Sequence, residues 1–172
     1  MKKRRFLQTG GMILGAIALS EFLPSQAKDS AATSAPESDR EHGEFEITKT
    51  EEEWRAILSP EAFAVLRKEG TEPPHSSPLD DISVAGTYSC AGCALPLYSS
   101  NTKFNSGTGW PSFYAPLENA IETSVDRSFL MTRTEVHCRR CGGHLGHVFE
   151  DGPAPTGLRY CMNGVAMAFT AA

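Results

Sequence analysis

The chain has 172 residues, 40% hydrophobic and 22% charged, which suits one packed domain with a short appendage and excludes two full domains. Sixteen basic residues against 21 acidic ones give a net charge of −5, which argues against sequence-independent nucleic-acid binding, since that depends on clustered Lys and Arg. The five cysteines are spaced as Cys90-x-x-Cys93, Cys138-x-x-Cys141 and a lone Cys161.

Residues 1–27 have the order of an export signal: basic Lys2, Lys3, Arg4 and Arg5, an apolar stretch from Met12 to Leu19, then Ser25 and Ala27 as small residues at a cleavage site. The run Lys3-Arg4-Arg5-Phe6-Leu7-Gln8 resembles a twin-arginine signal, with either Lys in place of the first Arg or the spacing one residue short, so the Sec route and an uncleaved anchor stay open. The apolar stretch is too short and too glycine-rich for a membrane span. Cleavage after Ala27 leaves 12 basic and 20 acidic residues, a net charge of −8. The location this implies is outside the cytoplasm, in a bacterial periplasm.

Residues 28–43 are small and polar and read as a flexible linker, so the folded domain is expected over 44–172. Two short helices should open it. Thr50 is placed to cap the first, with Glu51, Glu52 and Glu53 at its positive end and Trp54, Ile57 and Leu58 as its apolar stripe. Ser59 caps the second, Pro60 takes its first position, Phe63 and Leu66 form its stripe and Gly70 ends it. From Thr71 onward turn formers recur between strand-length pieces, among them 86–90, 128–133, 134–138, 147–149 and 165–169, so a mainly β, antiparallel fold is expected.

Each Cys-x-x-Cys lets one tight turn bring two thiolates onto the same ion. Cys90, Cys93, Cys138 and Cys141 together make the closed shell of a structural zinc. Gly142 and Gly143 permit positive φ in the second turn, and Arg139 and Arg140 are expected to offset the charge of the thiolates. Two disulfides or an iron centre are the competing readings. A closed shell has no vacant position for substrate, so the metal would tie loops together and do no chemistry.

Cys161 is then left over. Arg159 and Asn163, two positions away on either side, would share its strand face, the first stabilising a thiolate and the second orienting a substrate. His144 and His147 follow the second cysteine pair and are free to exchange protons near neutral pH, whereas His42, His75 and His137 lack such a context and are expected in solvent.

Three stretches closely resemble the signatures of the peptide-methionine-R-sulfoxide reductases, the B class: Phe104-Asn105-Ser106-Gly107-Thr108-Gly109-Trp110-Pro111-Ser112-Phe113, His144-Leu145-Gly146-His147-Val148-Phe149, and Gly157-Leu158-Arg159-Tyr160-Cys161-Met162-Asn163. Thr71-Glu72-Pro73-Pro74, both Cys-x-x-Cys pairs and Asp151-Gly152-Pro153 match as well, so the likeness runs from about Thr48 to Phe169. The resemblance implies two antiparallel sheets in a sandwich-like core with helices on the N-terminal side, and one structural Zn2+. It implies that Cys161 attacks the sulfoxide sulfur, that His144 and His147 position and protonate its oxygen, and that Arg159 and Asn163 support thiolate and substrate. Trp110, with Phe113 near it, would receive the substrate, the indole face taking the methyl group and so selecting one epimer.

The departure is Thr108, where many members carry a resolving cysteine. With the other thiols committed to metal, an oxidised Cys161 would be reduced by an outside thiol or a thioredoxin-like carrier, and the substrates would be oxidised proteins or peptides. A zinc-ribbon binding module with a buried Cys161 is the reading from another class. An S-epimer reductase or another thiol oxidoreductase is the nearer one.

Overall fold

The computed structural model describes residues 45–172; the expected signal over 1–27 and linker over 28–43 lie outside the described residues, as does His42. Helix α1 (Glu51–Ile57) starts on a reciprocal cap, in which Glu53 N–H donates to Thr50 Oγ1 at 3.2 Å and Thr50 N–H donates to the Glu53 carboxylate at 2.8 Å. Helix α2 (Pro60–Lys68) starts where Ala62 N–H donates to Ser59 Oγ at 3.1 Å. Its end differs from expectation. The left-handed residue is Glu69, with φ 56°, and Gly70 is required for closeness, because a Cβ there would sit 2.9 Å from the Ala64 carbonyl.

Nine strands follow among the described residues: β1 (Gly86–Cys90), β2 (Pro96–Ser99), β3 (Lys103–Phe104), β4 (Ser112–Phe113), β5 (Ile121–Asp126), β6 (Arg133–Cys138), β7 (His144–Phe149), β8 (Arg159–Met162) and β9 (Met167–Ala171). All pairings are antiparallel. One sheet runs β2-β1-β9 and the other β3-β4-β8-β7-β6-β5, the mainly β, two-sheet architecture expected. The sheets meet through aromatic rings: Tyr98 of β2 stacks on Phe113 of β4 at 4.3 Å, and Tyr88 of β1 meets Phe113 edge-on at 4.9 Å. Leu97, Val136, Leu145 and Met162 complete this layer, all fully buried, while Trp54, Phe63, Val65 and Leu66 bring the helices onto it.

Other expectations fail for local reasons, among them the strand over 165–169, which starts only at Met167 after a 3-10 turn at Gly164–Ala166. Residues 128–133 do not form a strand. Asp126 pairs with Arg133 across β5 and β6, so the chain must reverse between them, and it does so through a 3-10 turn at Ser128–Leu130 whose start is fixed by Ser128 N–H donating to Asp126 Oδ1 at 2.8 Å. His137 is not in solvent. It lies on β6, 7% exposed, edge-on to Phe45 and 3.7 Å from Glu122.

Candidate active site and metal centre

The four paired cysteines converge as their spacing requires: the sulfurs of Cys90, Cys93, Cys138 and Cys141 all lie within 4.8 Å of one another and could hold a metal ion. The two turns are built alike. In each, the first cysteine's carbonyl accepts from the fourth residue on (Ala94 N–H to Cys90 at 2.8 Å, Gly142 N–H to Cys138 at 2.8 Å). Its N–H donates to the fifth (Cys90 to Leu95 at 2.9 Å, Cys138 to Gly143 at 2.9 Å). Both fourth residues are left-handed, Gly142 at φ 65° and Ala94 at φ 58°, so the first turn carries alanine where glycine would be at ease. Arg140 reaches the Cys93 carbonyl at 3.5 Å, but Arg139 turns away to Asn119, and Arg67 of α2, unforeseen, donates to the Cys141 carbonyl at 2.9 Å.

Cys161 is central in β8. Register places Ser112, Cys161, His147, Glu135 and Ser124 opposite one another in a single row across β4, β8, β7, β6 and β5. Directly opposed residues share a face, so this row and its neighbours two positions along (Arg159, Phe149, Arg133, Asp126) form one polar face, while the alternate residues Phe113, Tyr160, Met162 and Val136 point into the core. That alternation corrects the reading of Phe113. It is fully buried against Tyr98 and Tyr88 and does not line the site, and Phe149 does instead.

His144 and His147 are three residues apart and would fall on opposite faces of a regular strand. The register slips between Val136 and His137, leaving Leu145 as an extra residue in β7, and this bulge returns His144 to the polar face with its ring 5.4 Å from that of His147. Gly146 beside the bulge allows the strands to approach, since a Cβ there would lie 2.1 Å from the Cys161 carbonyl.

A cavity of about 150 Å³ opens at Cys161, lined by Thr71, Trp110, Arg133, Gly146, His147, Phe149, Cys161 and Asn163. A larger depression of about 350 Å³ beside Asp80, Asp81 and Lys103 contains neither the free thiol nor an imidazole, so the smaller one is the candidate active site. Burial pushes the Cys161 thiol above its usual range; the Thr108 hydroxyl 3.9 Å away, the Arg159 charge and Ser112 pull against it without prevailing. Ser106 links Thr108 and Ser112, its hydroxyl 2.8 Å from each. Arg159 is held by Asp151 through two bonds of 2.9 Å, with its guanidinium 4.5 Å from the centre of the Phe149 ring.

His147 Nε2 lies 2.8 Å from Asp126, which also accepts from Arg133 at 2.6 Å. Burial opposes the charge of Asp126, but hydrogen bonds from Ser128, His147 and Arg133 outweigh it and hold the carboxyl well below the usual range. An ionised Asp126 can only accept, so Nε2 carries hydrogen and Nδ1 is left to exchange a proton. Burial lowers the His147 pKa; Asp126 opposes this, and the charges of Arg133 and His144 add to it. His144 lies deeper, 3% exposed, with Nδ1 2.8 Å from Glu135 and Nε2 buried without a hydrogen-bond partner among the described residues.

Asn163 borders the cavity, but its amide is engaged by the main chain: Oδ1 accepts from Glu72 N–H at 2.9 Å and Nδ2 donates to the Leu145 carbonyl at 3.0 Å. Trp110 Nε1 donates to the Glu72 carbonyl at 3.0 Å. Glu72, Ser112, Asp126, Arg133, Glu135 and Phe149 are the site residues the spacing arguments did not single out. Glu72, Ser112 and Phe149 lie inside recognisable motifs, whereas Asp126 and Arg133 are visible only once β5 and β6 are paired.

Residues 58–171 match the SelR domain, a stretch that includes both cysteine pairs and every residue of the cavity. The peptide methionine sulfoxide reductase MsrB of Pseudomonas putida (strain W619) is 58% identical over 125 residues, covering 72% of this chain and 93% of that protein. The enzymes of the same name from Methanosarcina mazei and Leptospira interrogans are 54% and 48% identical over 125 and 126 residues, covering 89% and 96% of their own lengths and 72% and 73% of this chain. The chain belongs to the SelR-domain, MsrB family. As an MsrB-family protein it presents its one cysteine outside the four-sulfur cluster in a cavity that also holds an imidazole and an indole, and no helix among the described residues is long and apolar enough to cross a membrane.

Proposed function

We propose that this MsrB-family chain reduces methionine-R-sulfoxide in oxidised proteins and peptides, through a sulfenic acid on Cys161. The observation that carries the reading is the shared cavity of Cys161, His147 and Trp110, with Ser112 and His147 flanking the thiol in one row. The Cys161 sulfur attacks the sulfoxide sulfur, a sulfur–sulfur bond begins to form, and the negative charge gathering on oxygen takes a proton from His147 Nδ1. The oxygen then passes to Cys161 as the incipient sulfur–sulfur bond and the substrate sulfur–oxygen bond both break, so that thiol and sulfoxide give sulfenic acid and methionine. Two equivalents of an external thiol, or a thioredoxin-like carrier, return the sulfenic acid to thiol with release of water and one disulfide. Arg159, pinned by Asp151, supports the thiolate. Asn163, held by Leu145 and Glu72, borders the cavity, and His144, held by Glu135, stands beside His147. The indole of Trp110 receives the methyl group.

The four-sulfur cluster suits one structural Zn2+. Zinc–sulfur bonds of about 2.3 Å in a tetrahedron imply sulfurs about 3.8 Å apart, and Cys90 to Cys141 and Cys93 to Cys138 measure 3.7 and 3.5 Å. The ion would hold the two turns together and leave no position open to substrate. The same proposal assigns residues 1–27 to an export signal and 28–43 to a linker, with the domain at work in a bacterial periplasm; sequencing the N-terminus of the protein from the periplasmic fraction tests this. The activity itself is tested with the purified domain, dithiothreitol and separated epimers. The R epimer of a methionine sulfoxide peptide should be reduced and the S epimer left, and equal turnover of the two would sink the reading.

A further inference from the structure

Glu72 carries a carboxylate into the protein, 6% exposed, with no cationic side chain as its partner among the described residues. Burying such a charge costs several kcal/mol unless hydrogen bonds replace its water. Its bonds lead to two places. The carboxylate accepts from the main-chain N–H groups of Gly164 and, at 3.0 Å, Val165, the first turn after Asn163. Its N–H donates to Asn163 Oδ1 at 2.9 Å, and its carbonyl accepts from Trp110 Nε1 at 3.0 Å. One residue thus joins the chain just beyond Cys161 to the indole in the cavity wall.

The loop bearing Trp110 cannot set that indole alone. Gly107 and Gly109 flank Thr108 at φ 72° and 87°, and the loop's other tie to this segment is His75 N–H donating to the Gly109 carbonyl at 2.7 Å. Pro73 and Pro74, between the two ties, offer no N–H groups, so Glu72 is where the segment is anchored. The anchor calls for a carboxylate. Two N–H donors converge on it, and an amide would turn its own NH2 toward one of them. Gly164 lets the segment close down, since a Cβ there would lie 1.9 Å from Ser77 Oγ and 3.3 Å from Glu72 Oε1.

We propose that Glu72 is a positioning residue for epimer selection: its carboxylate locks the main chain at 72 onto the Asn163–Val165 turn, and its carbonyl thereby fixes the tilt of the Trp110 indole relative to Cys161. The proposal rests on the assignment of Trp110 as the surface that receives the substrate methyl group. A loosened indole still offers apolar area, so discrimination between epimers and KM should suffer before the chemistry at sulfur does.

The test uses the full chain with dithiothreitol and separated R and S sulfoxides of a short peptide. Glu72→Gln should raise KM for the R epimer about tenfold and lower the R-to-S ratio of kcat/KM by about as much, the loss of one hydrogen bond to a charged group. Alkylation of Cys161 by iodoacetamide should keep its rate. Trp110→Phe, which keeps an aromatic face but removes the N–H together with part of the indole, should give shifts at least as large, to which Glu72→Gln adds nothing, and it carries the test if the Gln variant fails to fold. Val65→Ala supplies a core variant of lowered Tm, in which neither KM nor the epimer ratio should move. The proposal is overturned if Glu72→Gln or Trp110→Phe leaves both quantities unchanged, or if Glu72→Gln loses only kcat in proportion to its unfolded fraction. A parent protein that does not favour the R epimer would instead bring down the proposed function, a distinct result.

Discussion

The side chains around Cys161 set how many protons the site holds. Burial raises the thiol above its ordinary value of 9.0, and burial also lowers His147 below its ordinary 6.5. In the proposed reaction attack needs a thiolate and protonation of oxygen needs an imidazolium, so the reactive pair would carry one proton, as does the resting pair of thiol and neutral imidazole. The two forms share one pH dependence. The single-turnover rate of methionine formation should therefore be level from about pH 6.5 to 9, falling below that range as both groups hold protons and above it as both lose them. An acid limb centred above pH 7 would contradict this. Asp126→Asn removes the carboxylate that favours the imidazolium, so the acid limb should move to lower pH and the plateau should drop about tenfold. Thr108 defines the next step. On the proposed one-thiol mechanism, one substrate pulse should give about one methionine per chain and dimedone should label Cys161 alone. Thr108→Cys should abolish that label. Its oxygen lies 3.9 Å from Cys161 Sγ, and a disulfide needs about 2.0 Å, so the glycine-flanked loop must close by roughly 2 Å. A disulfide from Cys161 to one of Cys90, Cys93, Cys138 or Cys141 in the native protein would instead place recycling inside the chain.

At the scale of elements, local chemistry was legible and register was not. The caps at Thr50 and Ser59 read directly, because each is decided within four residues of chain. The strand expected over 128–133 failed because that strand-length run spans a hairpin end, and whether a run pairs depends on a partner elsewhere in the chain. The bulge that brings His144 beside His147 is equally silent in sequence, and so is the row from Ser112 to Ser124. Gly146→Ala tests that geometry: a Cβ facing the Cys161 carbonyl at 2.1 Å must push β7 from β8, which should cost about 2–4 kcal/mol and most of the activity. Loss of stability without loss of turnover would show that the thiol tolerates the displaced strand. The first cysteine turn gives the opposite prediction. Ala94 at φ 58° bears a left-handed strain that Gly142 avoids in the matching position, so Ala94→Gly should stabilise the protein by about 1 kcal/mol, read as a raised denaturation midpoint at unchanged slope.

Across the whole molecule, the cysteine cluster joins what the core alone would have to hold. Cys90 ends β1 in the three-stranded sheet and Cys138 ends β6 in the six-stranded one, so an ion shared by them would fasten the two sheets at one end, and Arg67 ties α2 to the same corner through the Cys141 carbonyl. The aromatic layer of Tyr88, Tyr98 and Phe113 joins the sheets independently of this corner. A site assembled only by folding returns its binding free energy as stability. Cys141→Ser should therefore lose the metal, about one zinc per chain by elemental analysis, and unfold or aggregate at temperatures the parent withstands. Because the ion would have no open position, folded molecules should still work. During slow removal of zinc by a chelator, kcat should fall in step with near-UV circular dichroism while KM and the R-to-S ratio stay constant. A fall in activity that precedes the loss of tertiary signal would mean that the metal acts on the chemistry. A stable, active, metal-free protein with two disulfides would mean that the four sulfurs are paired to one another instead.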